Sequence, residues 1–320
     1  MSILDSLKFC KNGYARKDLI PSLTHYSIRN GRVTAFNGSL AFSSPISLDL
    51  DIAPQALHFH KCIEVCDDEI SLTLDKDKLR IKSGKFKSAI KCIPTSEVPT
   101  IIPRGSKVIL PVDFIDKIKK VLSIIDNENE KLYTQGLNFR GKSAWVTNNI
   151  IMVELWIGVD LPEITIPKKA IIEICKYGKQ IDHVLIDDDM IYFMYSDERW
   201  IAAKLLVADC PDFARVVDRP SVPHSLPVDF WEALEVLRFS DEAGKMTLET
   251  GLISAGEIAS NSVPVATMDC SDLVLEGRCL FNINHFIKLK NILETIELKA
   301  GQPCLFFGQE IRGAIVGYRQ

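Results

Sequence analysis

Apolar positions along this chain recur in one phrase. An apolar residue, usually followed by proline, precedes by four and five positions the start of a helical apolar face. The copies are IAPQALHFHKCI from Ile52, LPVDFIDKIKKVL from Leu110, IPKKAIIEICKYG from Ile166, LPVDFWEALEVLRF from Leu226 and FNINHFIKLKNIL from Phe281. Their starts lie 58, 56, 60 and 55 residues apart. Within a copy the apolar residues keep helical spacing: Ile115, Ile118, Val121 and Leu122 share one face. Each phrase therefore predicts one short helix. Between the phrases, segments such as EISLTLDKDKLRIKS (69–83), HVLIDDDMIYFMYS (183–196) and RWIAAKLLVA (199–208) read as strands.

A second, longer period sets the domain plan. GRVTAFNG from Gly31 recurs 110 residues later as GKSAWVTNN from Gly141, and EVPTI with Pro99 recurs 112 residues later as DCPDF with Pro211. Two helix units thus make one domain of ordinary size. The proline-rich joins PTIIPRGSKVILP (99–111) and DRPSVPHSLP (218–227) place three similar domains at 1–106, 107–220 and 221–320. The first domain carries its first phrase in degenerate form, between Ile3 and Leu23. The expected class is α+β, with two helices packed on antiparallel sheet in each domain. Three domains of two units exclude an open-ended solenoid.

Composition narrows the function classes. The chain has 320 residues, 47% hydrophobic and 25% charged, with nine scattered cysteines and no CxxC pair. That pattern fits reduced thiols in a cytoplasmic protein. No run of about 18 apolar residues is present, so no membrane partner is expected. The N-terminal stretch, with Asp5, does not read as a secretory signal. No glycine-rich phosphate loop, HExxH or GxSxG element appears. His58, Cys62 and Cys66 in HFHKCIEVC, with His60 beside them, would fall near one helical stripe. They occupy core positions of the repeat, so packing is preferred over a metal site. Asp187 to Asp189 lie at an expected hairpin tip, where adjacent carboxylates diverge. The reading is a non-enzyme without a cofactor or a metal.

The stretch TIPKKAIIEICKYGKQIDHVLIDDDMIYFMYSDERWIAAKLLVADCPDFARVV, from Thr165 to Val217, resembles the bacterial DNA polymerase III beta sliding clamp family. It looks like that family's run of helix, two strands, a strand ending in Lys-Leu, and a Pro-Asp-aromatic turn. The terminal AIVGYRQ is similar to the family's final strand and tail. The resemblance is sharp between about Leu110 and Val217 and rests on spacing elsewhere. It implies a homodimer closed head to tail round double-stranded DNA, a clamp loader, and a DNA polymerase tethered by a short peptide. Closure would pair an edge strand of domain one, at 85–93 (KFKSAIKCI), with an edge of domain three on the other copy.

By position in that pattern, the peptide pocket comprises Thr134, Thr147, Asn149, Ile150, Ile151, Met152, Pro211 and Val216. Asn282, His285, Val316, Gly317, Tyr318 and Arg319 close it. The family's Asp-Gly-His-Arg-Leu after the threonine is here Asn148-Asn149-Ile150-Ile151-Met152, and the Met-Pro-rich end is Val316-Gly317-Tyr318-Arg319-Gln320. Such departures point to a different peptide, and to a virus-encoded clamp in a bacterial host cytoplasm. For DNA, Lys117 and Lys120, Lys169 and Lys176, and Lys288 and Lys290 oppose the apolar helix faces. Arg16, Lys17, Tyr133 and Arg215 are loop candidates by position. The Leu226 copy departs, carrying Glu232 and Glu235 with only Arg238. The alternative function is a clamp-fold inhibitor or decoy that binds host replication proteins.

Overall fold

The computed structural model of the chain describes residues 2–67, 69–126, 128–256 and 264–318. Among the described residues seven helices form: α1 (Ile3–Cys10), α2 (Ala56–Glu64), α3 (Phe114–Val121), α4 (Lys168–Tyr177), α5 (Ala214–Val217), α6 (Phe230–Leu237) and α7 (Ile283–Ile287). All five repeated phrases become helix, and the degenerate first copy becomes α1. The exception to the pattern is α5, a single turn after the Pro-Asp-aromatic segment. Everything else regular among the described residues is short 3₁₀ turns and antiparallel strand, which makes the fold α+β.

The chain divides into two compact units. One comprises residues 1–112 and 173–205, the other 113–172 and 206–320. In the first, a seven-stranded sheet runs in the order Ser27–Arg29, Arg32–Phe36, Leu40–Pro45, Trp200–Lys204, Met190–Met194, His183–Ile186, Ser106–Val108. Asn30 and Gly31, at φ 52 and 66, join its first two strands in the tight turn that suits a right-twisted hairpin. Helix α1 covers this sheet. Ser2 caps it by accepting from the Asp5 N–H at 3.1 Å, and Ser6 Oγ donates to the Pro45 carbonyl. Asp187 turns the 183–194 hairpin by accepting from the N–H groups of Asp189 and Met190. A smaller sheet, in the order Ala53–Pro54, Phe86–Ile93, Lys78–Ser83, Ser71–Asp75, lies with α2.

The second unit repeats the plan. Its six-stranded sheet runs His224–Ser225, Thr295–Ile296, Cys304–Gly308, Ile311–Ile315, Ile151–Pro167, Gly136–Thr147. Its four-stranded sheet runs Ala266–Cys270, Gly251–Ala255, Lys245–Glu249, Cys279–Asn282. Helices α6 and α7 meet through Phe230 and Phe286, with ring centroids 5.9 Å apart, and both rings are fully buried. Each such side chain contributes about 1.5–3 kcal/mol of burial. These contacts, more than helix propensity, hold helices only five to ten residues long.

Helix α3 corrects one sequence reading. Lys117 does not point to solvent; it is buried, with its ammonium 2.9 Å from Glu310 and 3.3 Å from Asp113. Burial alone would lower its pKa, but Glu310 and Asp113 outweigh that and hold it above the usual lysine value. Lys117 is therefore a structural cation. Lys120, one turn on, is exposed. The last helix also ends earlier than its phrase: α7 stops at Ile287, so Lys288 is its C-cap and Lys290 lies beyond it.

Two tests of this packing follow. Lys117→Glu sets a third carboxylate against Asp113 and Glu310 and should cost about 3 kcal/mol or more in urea unfolding. Lys120→Glu should stay within about 0.5 kcal/mol; equal losses would refute the buried role. Gly105 (φ 110) leaves no room for a Cβ, which would sit 2.1 Å from the Ile186 carbonyl, whereas Gly251 (φ 80) has nothing within 4 Å. Gly105→Ala should cost at least about 2 kcal/mol more than Gly251→Ala, which bears only left-handed strain of about 1–2 kcal/mol.

Candidate functional site

The strands Gly136–Thr147 and Ile151–Pro167 are joined by a hairpin that local side chains build. Asn148 Oδ1 accepts from the Ile150 and Ile151 N–H groups at 3.1 and 2.7 Å. Thr147 Oγ1 donates to the Ile151 carbonyl at 2.8 Å and accepts from the Asn149 N–H at 3.0 Å. Asn149 takes the left-handed conformation, φ 68, that asparagine tolerates best among residues with a side chain. The hairpin tip then projects Ile150 outward. Tyr133 donates to Asn149 Oδ1 at 3.1 Å and fixes the tip from the side.

Beneath the hairpin lies an aromatic floor. Trp145 stacks on Phe213, centroids 5.7 Å apart at 29°, and Tyr133 meets Phe213 edge-on at 5.9 Å. Trp145, Met152, Val217, Leu305 and Ala314 form a buried cluster, with Phe213, Ala214 and Phe307 packed on it. The chain's tail runs alongside. The Val316 N–H donates to the Ile150 carbonyl at 2.9 Å, and the Tyr318 N–H to the Leu280 carbonyl at 2.7 Å. Gly317 allows that approach, since a Cβ there would lie 2.4 Å from the Leu280 oxygen. Ile150, Val216, Val316 and Tyr318 remain 37–48% exposed. Four part-exposed apolar side chains around a packed aromatic base suit an apolar peptide anchor.

The expected pocket residues divide into three kinds. Ile150, Pro211, Val216, Val316 and Tyr318 offer exposed surface, with Met152 at the floor. Thr134 and Ile151 offer none: Thr134 Oγ1 donates to the Lys131 carbonyl at 2.7 Å, and Ile151 is locked against Ile315 in the sheet. These two support the site from within. Thr147 and Asn149 shape the hairpin, while Asn282 caps α7 by accepting from the Asn284 N–H at 2.9 Å. His285 is half-buried; burial, and then nearby Lys288, hold its pKa below the ordinary histidine value, so it is neutral at pH 7. Arg319 lies outside the described residues. Sequence reasoning missed Trp145, Phe213, Leu305 and Phe307. Two signals were present: Trp145 lies two residues from Thr147 on the same strand face, and Phe213 is the aromatic of the Pro-Asp-aromatic turn.

The candidate DNA contacts are more scattered. Arg16 and Lys17 stand exposed in the loop after α1, and Lys120 and Lys169 are exposed on their helices. Lys176 pairs with Glu173 at 3.0 Å, Lys290 with Glu235 at 3.4 Å and Arg215 with Asp212 at 3.0 Å. Tyr133 belongs to the aromatic floor instead. Lys168, which the sequence reading passed over, donates to the Ile125 carbonyl. Burial, and then nearby Lys288, push its pKa down, which sets Lys168 and Lys288 close to each other.

The His/Cys segment of α2 is dispersed. His58 is exposed, His60 is buried between Tyr26 (3.3 Å) and Glu64 (3.5 Å), and Cys62 donates to Ser88 at 3.3 Å. Among the described residues no three His, Cys, Asp or Glu side chains converge as a metal site would require. A recess of about 660 Å³ in the first unit is lined by Asp5, Lys8, Phe9, Tyr177, Lys179, Asp197 and Arg199. Asp197 is satisfied there by Tyr177 (2.7 Å) and Lys179 (2.8 Å).

No protein-family model and no curated protein sequence matches this chain. Solved structures do. The beta sliding clamp of C. crescentus superposes with a TM-score of 0.84 at 17% identity, over 100% of this chain and 97% of that one. The beta subunit of Streptococcus pyogenes DNA polymerase gives 0.81 at 18%, over 99% and 97%. The Helicobacter pylori beta clamp bound to a DNA ligase peptide gives 0.81 at 17%, over 99% and 97%. At such identities the likeness is one of architecture: the chain has, along its whole length, the fold of bacterial DNA sliding clamps.

Proposed function

We infer that the protein is a DNA sliding clamp, a non-enzymatic processivity factor that encircles duplex DNA and tethers a replicative polymerase. The observation that carries this reading is a fold likeness spanning 97% or more of known clamps, with no major element left over. The three-domain division at 1–106, 107–220 and 221–320 goes with it, pairing α1 with α2, α3 with α4, and α6 with α7. The tail-side surface around Ile150, Val216, Val316 and Tyr318 is the peptide pocket. Its support is the aromatic floor and the ligase peptide held by the H. pylori clamp. An aliphatic rim in place of a His-Arg pair suits a polymerase specific to this system, as a bacteriophage acting in host cytoplasm would carry.

Ring closure by two copies has support at two edges. Strand Phe86–Ile93 is paired along one side by Lys78–Ser83, while Ala53–Pro54 covers only Ile93 and Cys92 on the other. Strand Ala266–Cys270 ends its sheet. Helix α6 packs on that edge strand, and its side carries Val236 at 56% and Phe239, just past its end, at 86% exposure. An edge with open main-chain groups beside an exposed aromatic suits a self-contact.

Three outcomes test the proposal. With a clamp loader and polymerase on a long primed template, the protein should lengthen products; shortened products would favour the decoy reading. Tyr318→Ala and Ile150→Asp should each weaken binding of the polymerase's clamp-binding peptide about 10-fold or more, and unchanged affinity would remove the pocket. Light scattering should give about twice the 35.9 kDa chain mass at micromolar concentration, and Phe239→Glu should give the single-chain mass. A wild-type protein of single-chain mass would contradict the ring.

A further inference from the structure

A lopsided charge distribution lies on the small sheet that packs with α2, on its strands and not on the helix. Residues 75–91 hold seven cations against two acids, in a protein whose net charge is −4. All seven cations are exposed. Strand Lys78–Ser83 alternates strictly, with Leu79, Ile81 and Ser83 buried and Lys78, Arg80 and Lys82 facing solvent. The pairing register adds Lys91 opposite Lys78 and Lys87 opposite Lys82, and on the other flank Asp75 opposite Lys78, Thr73 opposite Arg80 and Ser71 opposite Lys82. Arg80 is paired with Asp75 at 3.0 Å. Among the described residues, Lys78, Lys82, Lys87 and Lys91 have no carboxylate within ion-pair distance.

Two directly opposed lysine pairs on one face are unfavourable for the sheet itself. Burial explains neither, since both pairs are in solvent. We propose that this cationic sheet face is a binding surface for the phosphate backbone of double-stranded nucleic acid, separate from the helix lysines. Lys78, Arg80 and Lys82 follow one another two residues apart on their strand, about 6.7 Å at each step, which lets neighbouring cationic groups reach successive phosphates. Ser71 and Thr73 supply hydroxyl donors of the kind that contact phosphate oxygens. No aromatic residue stands on the face: Phe86 pairs with buried Ser83 on the opposite side. A surface without a stacking platform does not favour unpaired bases, and one made of flexible lysines reads charge, not sequence. Self-closure through strand Phe86–Ile93 would use main-chain groups at its edge and leave this face open. The inference takes its ligand from the clamp reading, yet it needs no ring.

The test is fluorescence anisotropy of a short, labelled linear duplex, titrated at several salt concentrations without loader or polymerase. The variant replaces Lys78, Lys82, Lys87 and Lys91 with Gln; the comparison variant carries Lys120→Gln and Lys169→Gln. The sheet variant should bind at least about tenfold more weakly at low salt, with a log–log salt slope smaller by about 3. Unchanged affinity in the sheet variant would overturn the proposal. So would displacement of the duplex by polyglutamate at equal charge, which would indicate an acidic protein partner. Loss of the two-copy mass in the sheet variant would likewise assign the face to self-association. Lengthened products with normal duplex binding by the sheet variant would remove this inference and keep the clamp. Weakened duplex binding without lengthened products would do the reverse.

Discussion

Every part of this fold depends on one constraint: a short amphipathic helix must bury its single apolar face on a sheet. Helices of five to ten residues do not hold in water by propensity alone. Phe59 and Ile63 on α2, Ile118 and Val121 on α3, and Phe230, Leu234 and Leu237 on α6 are all buried. The sheets need the helices in turn, because strands such as Lys78–Ser83 alternate buried and exposed residues and have one face to cover. What remains free in each helix–sheet layer is a polar helix side and a polar sheet side. Function in this molecule has only those two kinds of surface, and the ends of strands, to work with.

The proposed peptide site uses strand ends. Its geometry follows from turn chemistry: Asn148 and Thr147 close the hairpin, and the left-handed Asn149 aims Ile150 outward. The tail then adds its apolar side chains beside it through two main-chain hydrogen bonds. Because Trp145, Phe213 and Phe307 pack as a base, the exposed rim sits on a rigid support. Rigid anchoring limits the ordering cost on binding. The cationic surfaces are built differently, on exposed faces with little packing, as suits mobile contacts to phosphate.

Local periodicity was legible in the amino-acid sequence, and long-range partnership was not. Five of the helices follow from phrases of about a dozen residues, where the 3.6-residue repeat is visible. The acidic hairpin tip at Asp187 was readable for the same reason. Lys117 shows the limit. Its spacing places it opposite Ile115 and Ile118, but Glu310, distant in sequence, draws it into a buried pair. The pairing of Leu40–Pro45 with Trp200–Lys204 likewise leaves no local trace. In the proposed peptide site, hairpin and tail were expected by family position. Leu305 and Phe307 come from a strand whose neighbours are fixed only by sheet order. The basic residues between 78 and 91 read only as strand and as a closure edge until the register set lysine opposite lysine.

The central claim is topological: the protein stays on DNA because it surrounds it. The most direct test is retention on nicked circular DNA after loading, followed by linearisation with a single cut. The account predicts co-elution with the circle in high salt and release once ends exist, since a closed ring slides off. Retention on the linear product, or no salt-resistant association with the circle, would contradict it.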